Sequence, residues 1–178
     1  MKQFGGPALL LDRSDINTDE IIPAKYLTES SKTALQPHLL EDLLLHGKPF
    51  NLNDPAVQQA RVVATRANFG CGSSREHAVW AFEVNDIKVV IAQSFARIFR
   101  QNMFNCGILA VELTENDIDR LFNMKGSLKI EVDMEGSKLV AISDSSDESN
   151  EEFTFQLNDF DRSLVEAGGW LSYADAKY

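Results

Sequence analysis

Asn68-Phe69-Gly70-Cys71-Gly72-Ser73-Ser74-Arg75-Glu76-His77 is the stretch on which the reading of this chain turns. It lies between a short apolar run at residues 61–65, with Val62, Val63 and Ala64, and a segment of helical periodicity reaching to about residue 83. That order predicts a strand, a tight turn and a helix over residues 75–83. Two glycines flanking a cysteine let the backbone turn where side chains would clash. Ser73, Ser74 and Arg75 sit where the predicted helix opens, and helix openings carry unsatisfied N–H groups and partial positive charge that suit carboxylate or phosphate. Arg75 adds a planar guanidinium that can clamp a carboxylate with two parallel bonds. Serine caps beside a solvated arginine are the simpler reading. The unbroken string favours an anion site.

Outward from this string the chain alternates between strand and helix signals. Upstream, residues 8–11 read as a short buried strand and residues 12–23 as a polar, Asx-rich structured loop. Residues 37–45 read as a short helix with Leu39, Leu40, Leu43 and Leu44 on one face and Pro37 in its first turn. Gly47-Lys48-Pro49 and Asn53-Asp54-Pro55 punctuate the chain between this segment and residue 61. Downstream, the wholly apolar residues 89–92 predict a strand covered on both faces. Residues 95–104 predict an amphipathic helix with Phe95, Ile98, Phe99 and Met103 on its buried side and Gly107 at its end. Residues 108–113 return as a strand, and Thr114 opens a helix to residue 124.

After residue 128 the hydrophobic period falls to two: Leu128, Ile130, Val132, then Leu139 and Ala141, then Phe153, Phe155 and Leu157. These predict antiparallel strands, with Glu135-Gly136 as the first hairpin turn. Residues 144–152 form an acidic, serine-rich connection, and residues 159–167 a last helix before Gly168-Gly169. The sum is one α/β domain over residues 1–178, with a parallel core and an antiparallel return.

Composition narrows the function. A net charge of −10 argues against a nucleic-acid partner, which needs a basic face. The N-terminus, Met1 to Pro7, lacks an apolar core and no run has the length of a membrane span, so a cytoplasmic protein is expected. The two cysteines, Cys71 and Cys106, are separated by 34 residues. A disulfide is not expected in a reducing compartment. Nor can two such thiols replace the four, closely spaced, that normally hold an iron–sulfur cluster. This chain should bind no metal, and any cluster must come with another polypeptide.

The string at residues 68–77 resembles the signature of the aconitase superfamily swivel domain, and with Cys71 between its glycines it is similar to the small subunits of the isopropylmalate isomerases. Three further strings resemble the same family in the same order: Ser14-Asp15-Ile16-Asn17-Thr18-Asp19-Glu20-Ile21-Ile22-Pro23, Ser94-Phe95-Ala96-Arg97-Ile98-Phe99-Arg100-Gln101-Asn102, and Asn105-Cys106-Gly107-Ile108-Leu109. The resemblance implies a swivelling β/β/α fold and a hydro-lyase of leucine biosynthesis. Such an enzyme isomerises a hydroxydicarboxylic acid by loss and readdition of water. It implies a large-subunit partner carrying a 4Fe–4S cluster, in a heterodimer or a dimer of heterodimers.

By matching the motif, Ser73 is the catalytic base, acting as an alkoxide held by the N–H groups of Ser74 and Arg75. The Ser74 hydroxyl and the Arg75 guanidinium bind substrate carboxylate. The resemblance also places the residues after a Tyr-Leu pair in the pocket for the substrate's variable group. Leu27 offers an apolar wall there, and Thr28 stands where a further carboxylate would call for a cation, which favours isopropylmalate. Lys25 and Lys32 are the cations that could serve a tricarboxylate instead. Asp19 and Arg97 are supporting residues, each with an alternative: Asx capping for Asp19, as for Asp15, and surface solvation for Arg97. His77 reads as packed or as supporting the site. Related hydro-lyases, such as homoaconitase or a citramalate- or dimethylmalate-type dehydratase, and a non-catalytic binding module of the same fold are the alternatives.

Overall fold

Two hydrophobic periods, continuous runs before residue 113 and alternation after residue 128, become the two halves of one seven-stranded sheet. The computed structural model describes residues 4–178; Met1, Lys2 and Gln3, at the start of the apolar-poor N-terminal segment, lie outside the described residues. In chain order the strands are β1 (Gly5–Leu10), β2 (Leu44–Leu45), β3 (Lys48–Pro49), β4 (Val62–Ala64), β5 (Val89–Ala92), β6 (Leu109–Glu112), β7 (Leu128–Asp133), β8 (Lys138–Ser143) and β9 (Glu151–Thr154). The helices are α1 (Thr18–Ile21), α2 (Pro55–Gln59), α3 (His77–Glu83), α4 (Arg97–Asn105), α5 (Glu115–Phe122), α6 (Asp159–Ala167) and α7 (Trp170–Lys177). The main sheet runs β6-β5-β4-β1-β7-β8-β9.

One strand joins the halves. Residues 8–10 of β1 pair in parallel with β4, Ala8 facing Val62, while residues 5–7 pair antiparallel with β7, Gly5 facing Glu131. The strand therefore starts three residues before the predicted residue 8. Gly5 and Gly6 let it: a Cβ on Gly5 would stand 2.3 Å from the Ile130 carbonyl oxygen, and one on Gly6 2.8 Å from Arg61 Cβ. The parallel strands β4 and β5 are buried throughout, as continuous apolar runs require. Beyond them β7, β8 and β9 form a meander whose inward residues include Ile130, Leu139, Ala141 and Phe153.

Several expectations are corrected. Residues 37–45 are not a helix: a 3-10 segment occupies Lys32–His38, and β2 and β3 then form a small hairpin through His46 and Gly47, both at positive φ. Burial decides this. Leu39, Leu40 and Leu43 enter the core, Leu40 takes φ +62° with its N–H on the Ile21 carbonyl at 2.7 Å, and Leu44 is left exposed. Helix α4 starts at Arg97 instead of residue 95, and Ile98 faces outward, so the buried side is Phe99, Met103 and Phe104. The left-handed position of the β7–β8 turn falls on Ser137 and not on Gly136. The acidic connection is more than a solvated loop. Asp144 and Glu148 accept backbone N–H bonds from Ser127 and Lys125 at 2.8 and 3.0 Å, and the last part of that stretch enters β9.

Helices α2 and α7 have no counterpart among the predicted elements. The α6–α7 corner is fastened to the end of α4 by close backbone approach: a Cβ on Gly169 would lie 2.5 Å from the Asn105 carbonyl oxygen, and one on Gly107 2.6 Å from Gly168.

Candidate active site

The signature string is a loop clasped from two sides. On the α1 side, the Gly70 N–H donates to the Ile16 carbonyl (2.9 Å), the Thr18 N–H to the Cys71 carbonyl (2.9 Å), and the Ser73 N–H to Thr18 Oγ1 (3.1 Å). On the other side, the Phe69 N–H donates to the Ser94 carbonyl (3.1 Å), the Ala96 N–H to the Phe69 carbonyl (2.9 Å), and Asn102 Nδ2 to the Ser74 carbonyl (3.2 Å). Gly70, at φ +81°, lies flat on the Phe99 ring, where a Cβ would come within 2.2 Å of Cγ. Phe69 anchors the loop beneath, edge-on to Phe99 at 5.5 Å.

With this much of its backbone bonded outward, the loop does not pass directly into the helix. Helix α3 begins at His77, two residues later than predicted, so Ser73, Ser74 and Arg75 precede it instead of forming its first turn. The hydrogen bond that matters most survives this correction. Of the two amides expected at the Ser73 oxygen, that of Arg75 donates to Oγ at 3.2 Å. A serine turn makes the same bond in many loops, but here it forms at the edge of a cleft.

That cleft, of about 1290 Å³, is lined by Gly72, Ser73, Ser74, Arg97, Asn102 and Phe160 among others. On the other side of Ser73 is a crevice too tight to admit a water molecule, bounded by Asp19, Leu27, Ser73 and Arg75 together with Thr18 and Ala78. Ser73 belongs to both. Six of the seven residues expected at the site thus line either the cleft or the crevice beside it. Thr28 is exposed and lines neither.

Local charge resolves the tension between an acidic chain and an anionic ligand. Arg13, Arg66, Arg100 and Arg120 each face at least one carboxylate. Among the described residues, Arg75 and Arg97 form no ion pair, and both are exposed. Arg97 lines the cleft beside the Arg100–Glu112 pair and the buried Asp161, and Arg75 lies on the other side of Ser73, so two unpaired cations flank the serine in an otherwise acidic chain.

The remaining polar residues have structural work. Asp15, at φ +59°, accepts from Asn68 Nδ2 at 3.0 Å and braces the start of the loop. The cap of α1 is neither Asp15 nor Asp19 but Asn17, reciprocated by Glu20. Arg13 pairs with Glu20 and holds that carboxyl below its usual range. His77 Nε2 lies 3.0 Å from the Glu29 carbonyl, tying the segment after Leu27 and Thr28 to α3. Lys32 is bonded to Glu83 at 3.1 Å and covers the Trp80 ring. Sequence reasoning passed over Thr18, Asn17 and Asn102. Each falls within a quoted string, but only the fold brings its side chain to the signature loop or to the turn that holds it.

Both thiols are free and half-buried. Burial pushes Cys106 up to about 12, and burial together with the nearby Asp15 raises Cys71. The thiolate is the reactive form, so both thiols should be carbamidomethylated by iodoacetamide at pH 8 more slowly in the folded chain than after unfolding. Rapid labelling of Cys71 in intact-mass spectra would contradict this. Among the described residues no three His, Cys, Asp or Glu side chains converge as a metal site, and no helix is long and apolar enough to cross a membrane.

A mixed sheet with a glycine loop poised over an arginine-bearing cleft defines the swivel class, and over residues 2–116 the chain matches the aconitase C-terminal domain family. It is 37% identical to the 3-isopropylmalate dehydratase small subunit of Neisseria meningitidis serogroup A, an alignment covering 93% of this chain and 85% of that one. To the 3-isopropylmalate dehydratase small subunit of Marinobacter nauticus it is also 37% identical, over 90% of this chain and 80% of the relative. A crystal structure of 3-isopropylmalate dehydratase from Methanocaldococcus jannaschii aligns with a TM-score of 0.76 at 28% identity, covering 99% of this chain and 95% of that one. The chain belongs to the aconitase C-terminal domain family and, within it, to the 3-isopropylmalate dehydratase small subunits.

Proposed function

We propose that this chain completes the active site of a cytoplasmic 3-isopropylmalate dehydratase, a hydro-lyase of leucine biosynthesis. The reaction interconverts 2- and 3-isopropylmalate through 2-isopropylmaleate, and the whole chain would act as one swivelling domain against the large subunit. The observation that carries this reading is the intact Ser73-Ser74-Arg75 segment at the edge of a cleft, with the unpaired Arg75 and Arg97 on either side of Ser73, in a chain of this family.

Each residue then has a task. Ser73 Oγ takes the proton from the substrate carbon, and the Arg75 N–H bonded to it stabilises the anion that a serine base must become. The Ser74 hydroxyl and the Arg75 guanidinium hold one substrate carboxylate, and Arg97, across the cleft, supplies further positive potential. Asp19, at the rim of the crevice, supports the arrangement. Leu27 closes the narrow crevice beside Ser73 and Arg75, and movement of its segment would turn it into an apolar wall for the isopropyl group. Thr28 comes next on the open surface, where closing of the segment over substrate would bring it to the pocket. The engagement of Lys32 by Glu83 takes one candidate cation away from a third substrate carboxylate.

Hydroxide departure needs a Lewis acid, which a 4Fe–4S cluster supplies when bound. Cys71 and Cys106, two free thiols where a cluster normally takes four, do not fit as its ligands, and among the described residues no three His, Cys, Asp or Glu side chains converge. The cluster is then the large subunit's contribution, and this chain's residues bind the acid and move its proton. The cleft rim suits such a partner. Ile98 and Phe160 line it, each more than half exposed, and Tyr173 joins Phe160 to the exposed Trp170 through ring contacts of 5.8 and 5.9 Å.

The test is reconstitution with the large subunit, following absorbance of the unsaturated intermediate with isopropylmalate, citramalate-type acids, homocitrate and citrate. Turnover of isopropylmalate is expected only when both chains are present. Efficient use of homocitrate or citrate with isopropylmalate ignored would assign a different member of the family. A stable complex that turns over none of the acids would make the chain a binding module.

A further inference from the structure

We infer that Thr18 is a positioning residue for Ser73: its hydroxyl oxygen fixes the backbone of the catalytic serine, and through it the direction of Oγ. The inference rests on the proposed role of Ser73 and adds the group that holds it in place. Thr18 is 5% exposed and meets three consecutive loop residues. Its N–H donates to the Cys71 carbonyl at 2.9 Å, its Oγ1 accepts the Ser73 N–H at 3.1 Å, and between them Gly72 passes so close that a Cβ there would lie 3.3 Å from Oγ1. Gly72 has φ +107°, a conformation L side chains rarely adopt, so the loop reaches Ser73 along a path with little freedom to adjust.

The Ser73 N–H has no helical carbonyl to meet, whether at a helix opening or in the loop before one. With α3 starting four residues later, it is the Thr18 hydroxyl oxygen that accepts it. A threonine suits this task better than a serine, since branching at Cβ restricts χ1 and with it the hydroxyl position. Thr18 is itself held in place. It opens α1, whose Asn17–Glu20 capping box is secured by Arg13, and the neighbouring Ile21 and Ile22 are buried. The Thr18 hydroxyl is buried and engaged by the loop, and the proposed carboxylate contacts are those of Ser74 and Arg75. Loss of its oxygen should therefore misplace the base without weakening binding, and small displacements at a reacting centre cost up to about 10²-fold in rate.

The experiment uses the reconstituted complex. Thr18→Val keeps the shape and removes the acceptor; kcat with isopropylmalate should fall about 10- to 100-fold with KM within about twofold. Thr18→Ser should restore kcat to within a few-fold. The decisive arm is the double variant: in the Ser73→Ala background Thr18→Val should cost nothing further, because Thr18 acts only through the serine oxygen. Thr18→Ala repeats the test should valine overpack. The inference is overturned if Thr18→Val keeps its kcat, if KM and kcat worsen together without rescue by serine, if the two losses multiply, or if neither Val nor Ala yields an assembled complex. An active Ser73→Ala complex would instead refute the base assignment itself, so the two failures are told apart.

Discussion

Replacing Ser73 with alanine is expected to lower the turnover of the reconstituted complex by about 10⁴-fold, since general-base and electrostatic contributions each commonly supply ~10²-fold. The fold should be unaffected, because the Ser73 contact with Thr18 uses its backbone N–H and not its hydroxyl. What is lost is the oxygen that accepts from the Arg75 N–H at 3.2 Å. Steady-state kinetics should put the loss in kcat, with KM near its original value. Arg75→Lys provides the contrast. An ammonium cannot reproduce the two-pronged carboxylate contact, so there the change should fall mainly on KM. A Ser73→Ala complex with near-normal turnover would remove the serine from the chemistry.

The largest effect on stability is expected from Gly70→Ala. The added methyl carbon would have to occupy space 2.2 Å from Cγ of Phe99, a side chain only 2% exposed and wedged against Phe69 and Phe82. The residue also sits at φ +81°. Overpacking a core costs about 1–3 kcal/mol and a left-handed conformation roughly 1–2 kcal/mol more, so urea denaturation should record a loss of ~2–5 kcal/mol. Gly47→Ala isolates the backbone part: its φ is +75° and nothing lies within 4 Å of the added Cβ, so only the ~1–2 kcal/mol conformational cost applies. Equal losses in the two variants would mean that the Phe99 contact yields.

The parts of the fold written in continuous apolar runs could be read directly. Strands at residues 62–64, 89–92 and 109–112 fall inside the predicted runs, and α6 spans the predicted residues 159–167. The legible signals there, unbroken burial and an Asn cap followed by a left-handed glycine, are local. What failed was decided at a distance. The leucines of residues 39–44 have helical spacing, yet the bond from Leu40 to the Ile21 carbonyl and the pull of the core bend them into a turn and a hairpin. Helix α7 has almost no amphipathic pattern, and its place is fixed by the contact of Gly169 with the end of α4. The site divides in the same way. The residues proposed for the chemistry stand in one string, but Thr18 and Asn102 come from flanking strings, and no spacing rule announces that their side chains bond to the loop.

The N-terminal strand lies at the centre of the sheet, parallel to one neighbour and antiparallel to the other. During synthesis its partner on one side, β4, emerges within the same half of the chain. The other partner, β7, begins only at residue 128, roughly 120 residues later, which at about 5–20 residues per second leaves one edge of the first strand unpaired for on the order of ten seconds. The edge is short, and Gly5-Gly6-Pro7 offers little to a stray strand, since Pro7 has no N–H to donate. The residues that allow close pairing in the finished sheet thus also make the waiting ribosome-bound chain a poor template for aggregation.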